Sequence, residues 1–150
     1  ANFNMGLLES DSGDPREAER YFRVALKADT RSVEAAYNLG VLISSDRPKE
    51  GLRFLRKAHT LRPNDDKYAY TLAYYLNENG NSTEAVRVLR EAISRSPAYG
   101  DAYVLLGAIH KLRGQPNKAR AIYRQALANE QLSREDRTTI EARLKELNPR

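Results

Sequence analysis

The sequence predicts an all-α chain of tandem helix pairs closed by a single C-terminal helix. Three observations carry that expectation. Blocks starting at Val33, Asp66 and Gly100 repeat one pattern of apolar and small residues at a step of 33 or 34. Inside each block the apolar positions recur every three or four residues, the spacing of one helix face. Residues 133–150 break the period and carry one narrow apolar stripe instead.

Composition bounds the rest. The chain has 150 residues, about the length of one domain. It is 41% hydrophobic and 30% charged, which suits a globular or repeat protein. No run approaches the roughly 18 apolar residues that a membrane span needs. Cysteine is absent, which removes disulfides, thiol nucleophiles and thiolate metal sites. The net charge of +5 is spread through stretches such as "PREAERYFRVALK", where basic and acidic residues interleave. That pattern reads as a solvated helical surface, so nucleic acid is not the expected partner. The chain opens on "ANFNMGLLE", which reads as the middle of a helix, and we expect it to have been cut from something longer. The compartment is therefore left open, and a targeting segment cannot be judged.

The elements follow in order. The first unit, about residues 1–32, has a clipped start. It keeps Gly6, Ala18, Phe22 and Ala25 in register with later units. In "DPRE", Asp14 is the expected cap, with Pro15 in the first turn and Glu17 completing a capping box. The second unit, 33–65, aligns "VEAAYNLGVLI" with "DKYAYTLAYYL" of the third (66–99) and "GDAYVLLGAIH" of the fourth (100–132). Leu39, Leu72 and Leu106 fall in register, as do Gly40, Ala73 and Gly107. In the second helices Leu55, Leu89 and Tyr123 align, as do Ala58, Ala92 and Ala126. The turn "SSDRPKE" is one residue short, and Gly51 stands where the other units have alanine. Pro48 and Pro116 sit where a missing N–H matters little. Gly80 ends one helix, and Asn81 or Ser82 starts the next. The capping helix, about 133–148, opens on a box of Ser133 and Asp136. Ile140, Leu144 and Leu147 are expected to bury against the second helix of the last unit, with a polar exterior outside.

The motifs "YNLG…FLRKAHTLRP" and "YVLLG…ARAIYRQAL" resemble the tetratricopeptide repeat, over nearly the whole chain. The resemblance implies a right-handed superhelix, an α-solenoid, whose first helices line the concave side. It implies a non-catalytic protein–protein interaction scaffold that takes a peptide or protein segment in that groove. An alternative expectation is a structural C-terminal region of a larger bacterial protein, an enzyme or multihaem electron carrier. Such a region would pack on its own missing part or mediate oligomerisation.

No catalytic, cofactor or metal site is expected. Nucleophilic catalysis needs a base beside a nucleophile, and only His59 and His110 are present. They lie in different units. His110 aligns with Ile43 and Leu76, so it reads as a packed, hydrogen-bonded core histidine; His59 reads as a surface residue. The expected peptide groove comprises Tyr37, Asn38, Lys67, Tyr70, Tyr74, Asn77 and Lys111, with Val41, Ser44, Asp101, Val104 and Ala108 beside them. In "YAYTLAYY", Tyr70 and Tyr74 share the groove face with Lys67 and Asn77, whereas Tyr68 and Tyr75 are expected to pack at the seam with the second unit. Rigid rings with polar tips suit peptide recognition. A family clamp for C-terminal carboxylates is not expected, because Thr71 stands where an arginine is needed, although Asn38 and Lys67 match two of its elements. Phe3, Met5 and Leu8 form an expected sticky edge for self-association.

Overall fold

The computed structural model describes residues 13–148. Among these the chain forms eight helices and no strand: α1 (Pro15–Ala28), α2 (Val33–Ile43), α3 (Pro48–Leu61), α4 (Asp66–Glu78), α5 (Ser82–Arg95), α6 (Gly100–Leu112), α7 (Pro116–Leu127) and α8 (Arg134–Glu146). The ninth expected helix, at the start of the chain, lies outside the described residues, as do Phe3, Met5 and Leu8. The sequence reads as one array; packing groups it into two compact units, Ala1–Tyr75 and Leu76–Arg150, divided inside α4.

In the first unit α1 starts as its sequence dictates. Asp14 accepts from the N–H groups of Arg16 and Glu17 at 3.1 and 3.2 Å, and Pro15 follows as the first helical residue. These bonds satisfy donors that a helix start leaves open. The core joins Ala18, Phe22, Ala25 and Leu26 of α1 to Val33, Ala35, Ala36, Leu39 and Ile43 of α2, with Ala58 and Tyr68. Outside it, α1 and α3 are tied by charge. Arg47 holds Glu19 at 2.6 Å and Arg23 holds Glu50 at 2.7 Å. The Arg47 hydrogen bond keeps the Glu19 carboxyl below its ordinary value. The pairs are part-exposed, so they orient the helices more than they stabilise them.

In the second unit α4 and α6 end on glycines in the left-handed region, Gly80 at φ +80° and Gly114 at φ +68°. Asn81 N–H reaches back to Leu76 O and Gln115 N–H to His110 O, both at 2.8 Å. This is the closing motif that satisfies the last carbonyls of a helix. The closing helix α8 is capped by Ser133, which accepts from Asp136 N–H at 3.0 Å. Ile140 is fully buried, Leu147 is buried and Leu144 is half-buried. The helix packs on α7, as expected, and also on α6. Two arginines fasten it: Arg137 donates to the carbonyls of Leu127 and Asn129, and Arg120 to that of Leu147. Each buried Leu or Ile is worth about 1.5–3 kcal/mol.

Candidate functional site: a tyrosine-lined face of the first unit

Helical phase divides "YAYTLAYYL". Ala69, Leu72, Ala73 and Leu76 are all buried, at 2% exposure or less. Tyr68 is buried, Tyr70 and Tyr75 are half-buried, and Tyr74 is 41% exposed. Tyr70, Thr71, Tyr74 and Tyr75 of α4 meet Tyr37 and Val41 of α2 around an open cavity of about 270 Å³. The two helices are joined there by a hydrogen bond of 3.2 Å between the Tyr37 hydroxyl and Thr71 Oγ1. The Tyr74 and Tyr75 rings meet edge to face, centroids 5.2 Å apart and planes at 90°. Tyr37 and Tyr68 do so at 5.2 Å and 64°. These are favourable aromatic geometries that fix the rings. Lys67 places its ammonium 4.6 Å from the centroid of Tyr37, a cation–π contact at the margin.

Burial pushes the phenols of Tyr68 and Tyr75 up from the ordinary tyrosine value, so both stay neutral at neutral pH. The cavity thus offers ring faces, hydroxyl tips and one ammonium at its edge. That is an amphipathic surface for binding.

Among the expected groove residues, the structure brings Tyr37, Tyr70 and Tyr74 together and sets Lys67 beside them. Asn38 spends its amide locally, donating to Glu34 O at 2.8 Å, and does not line the cavity. Asn77 stands half-buried near the end of α4, also away from the lining. Lys111 belongs to the second unit, where it pairs with Glu146. Two placements correct the sequence reading. Ser44, expected on the groove, is buried and donates to Gly40 O. Of the two tyrosines expected to pack at the seam, only Tyr68 is fully packed; Tyr75 is half-buried and also lines the cavity beside Tyr74. Thr71 and Tyr75 were the lining residues that sequence reasoning passed over; the doubled Tyr74–Tyr75 was the available signal.

His110 is 3% exposed, with Nδ1 2.9 Å from Gln115 Oε1, as the expectation of a packed histidine required. His59 is half-buried rather than on the surface. Among the described residues no group of three or more His, Asp or Glu side chains is placed to hold a metal, and no helix is long and apolar enough to cross a membrane. A wider hollow of about 580 Å³ is lined only by the consecutive turn residues 62–66, which makes it the shallow surface of a turn.

These features define a tandem helix-pair repeat protein whose exposed helix faces carry its surface chemistry. The chain belongs to the tetratricopeptide repeat family: models of that repeat match residues 3–66 and 76–144. It is 28% identical over 120 residues to protein O-mannosyl-transferase TMTC1 of Homo sapiens, covering 79% of this chain and 14% of that protein. It is 33% identical over 99 residues to protein O-mannosyl-transferase Tmtc3 of Drosophila melanogaster, covering 63% of this chain and 10% of that protein. The chain therefore spans only a small part of the length of these relatives. Among solved structures, a MamA protein superposes with a TM-score of 0.76 at 26% identity, over 85% of this chain and 70% of MamA.

Proposed function

We propose that this chain is a non-catalytic protein-interaction module that holds an extended peptide segment on the tyrosine-lined face of α2 and α4. The observation that carries the reading is the cavity itself. It is open and small, about 270 Å³, at the lower end of the usual range for small-molecule pockets, about 300–1,000 Å³. Four tyrosines around it supply rigid area at low entropic cost, the composition of interaction hot spots. The family supports an interaction role in general. A peptide library displayed on phage and selected on the intact chain provides ligands for the test. Tyr70→Ala and Tyr74→Ala are each expected to weaken a selected peptide about tenfold or more while leaving the melt nearly unchanged. Tyr68→Ala is expected to destabilise the fold by about 3 kcal/mol, because that ring is buried. Peptides that bind both groove variants as tightly as the parent would overturn the site.

A second reading is favoured by the length of the relatives: the same face packs against the rest of a longer chain. In that case a longer chain containing this region protects Tyr70 and Tyr74 from solvent and competes with the selected peptides. Peptide binding that persists unchanged in the longer chain excludes it.

A further inference from the structure

The second unit carries a cavity of its own, also about 270 Å³, where α6, α7 and α8 meet. Its wall is apolar, from Val104, Ala108 and Leu112 of α6. Leu112 is 78% exposed, which leaves a large apolar side chain facing water at the cavity mouth. Tyr123 of α7 lines it from below. The ring passes under Gly107, where even a methyl group would strike it. Tyr123 is only 2% exposed, and among the described residues its hydroxyl has no hydrogen-bond partner. Burial keeps this phenol neutral, so it remains a donor. The hydroxyl itself is not sealed from solvent, so a partner's carbonyl can take the place of water there.

The rim is charged and unevenly matched. Glu146 is shared by two cations, with Lys111 at 3.9 Å and Arg143 at 3.7 Å. Strong charge-assisted pairs close to about 2.7–2.9 Å, so neither cation is firmly engaged. All three side chains are about half exposed. The rim therefore carries one positive charge in excess, above an apolar wall and one open hydroxyl.

We propose that this cavity is a second docking site, which takes an apolar side chain of a partner polypeptide whose adjacent residue is aspartate or glutamate. The apolar side chain covers Val104, Ala108 and Leu112. The neighbouring carboxylate pairs with Arg143 and Lys111 at the rim. The Tyr123 hydroxyl donates to a backbone carbonyl of the incoming segment. An acidic side chain fits better than a chain terminus, because terminal carboxylates are gripped by converging backbone N–H groups. Here the rim residues sit inside helices, where those N–H groups are already used. The site stands independently of the tyrosine face of the first unit.

The test uses the intact ¹⁵N-labelled chain and the capped peptide acetyl-Gly-Leu-Asp-Gly-amide, followed by NMR to about 10 mM, where millimolar ligands register. The expected result is a saturable shift of the Val104, Ala108, Leu112 and Arg143 amides. Replacing Asp by Asn or Leu by Ala in the peptide is expected to weaken binding about fivefold or more. Arg143→Gln is expected to act like the Asn peptide, and Tyr123→Phe to weaken binding about threefold. Glu146→Gln removes the competing carboxylate and is expected to tighten binding, an outcome that a merely structural pair would not give. The proposal is overturned if these amides do not move, if the Asn peptide binds as well as the Asp peptide, or if Glu146→Gln weakens binding. It is overturned equally if acetyl-Gly-Gly-Leu with a free C-terminus binds more tightly than the capped Leu-Asp peptide.

Discussion

The helix pair α2/α3 and the helix pair α6/α7 place glycine at the same repeat position, Gly40 and Gly107, and pack against it differently. At Gly40 an added Cβ would meet the Leu55 side chain at 2.8 Å and the Gly51 carbonyl oxygen at 3.1 Å, so a side chain and a second backbone both close on it. A Cβ built on Gly51 of α3 would lie 3.0 Å from Gly40 O and 2.9 Å from the Cα of Ser44. At Gly107 the missing side chain makes room for a ring: Tyr123 fills the place that Leu55 and Leu89 hold in the other units. The turns explain the difference. From His110 to Pro116 is six residues, and Gly114 turns the chain at φ +68°; from Ile43 to Pro48 is five, and no glycine intervenes. The residue missing from "SSDRPKE" is the left-handed glycine. Instead α2 runs on into Ser44 in helical conformation, and Arg47 N–H bonds Ile43 O at 2.8 Å. The shorter connection draws α3 against α2. That approach buries Ser44, whose counterpart Lys111 is exposed, and it leaves no space at position 51 for the alanine that the other units carry. One deletion thus accounts for a glycine and for a buried serine.

The largest effect is expected from Gly107→Ala. The added methyl group meets the Tyr123 ring, which is buried. Overpacking of this kind is expected to leave a net loss of about 3 kcal/mol, after the better helix former has returned roughly 1 kcal/mol. Tyr123→Leu alone loses buried area and is expected to cost about 2 kcal/mol. The double variant installs Ala and Leu, the residues that the third repeat carries at the matched positions 73 and 89. It is expected to be more stable than the sum of the single changes by about 1–3 kcal/mol, as contacting residues couple. Denaturant titration of the four proteins measures this. Strict additivity would mean that Gly107 and Tyr123 do not constrain each other.

Gly51→Ala comes next, at about 2 kcal/mol. The atoms it meets include backbone, which cannot swing aside as a flexible side chain does. Inserting glycine between Asp46 and Arg47 restores the longer turn of the other units. In that background Gly51→Ala is expected to fall to within about 0.5 kcal/mol of neutral. An equal penalty in both backgrounds, read from urea midpoints, breaks the link between turn length and helix approach.

Much of the fold was legible because it depends on short-range rules. Asp14, Asn81 and Ser133 cap helices where their sequence positions say they must, and the core stripe of α4 follows from the helical period alone. The family pattern was legible because its small and large positions recur at a fixed step. The face of Ser44 was not legible. Its exposure depends on how closely α3 approaches, and that depends on a deletion three positions further along. Tyr75 was misplaced in part, and for a different reason. Four residues beyond Thr71, about one full turn, it stays on the cavity side of α4, and its ring meets Tyr74 edge to face. The open hydroxyl of Tyr123 was invisible, since it needs α8 in place to form a cavity at all.

The smallest effect separates the same two pairs at their third matched position, Ile43 against His110. Both side chains are buried, at 2% and 3% exposure, but only one titrates. Burial is the main influence on His110 and holds its pKa below the ordinary 6.5. The hydrogen bond with Gln115 opposes that shift, while Arg90, Lys118 and Arg113 reinforce it. Above pH 6.5 the imidazole is neutral in both folded and unfolded chains, and the difference contributes nothing to pH dependence. As the pH falls below 6.5 the unfolded chain takes up the proton first, so stability declines, by at most about 1.4 kcal/mol per pH unit. The decline ends once the folded chain is protonated as well. His110→Leu installs the residue that Leu76 supplies in the third unit. It is expected to change stability at neutral pH by under about 1.5 kcal/mol and to remove this part of the acid-side slope. Urea titrations of both proteins between about pH 7.5 and pH 5 make the comparison. If the two curves remain parallel through that range, His110 is not held neutral by the fold, and its resemblance to Ile43 is one of position only.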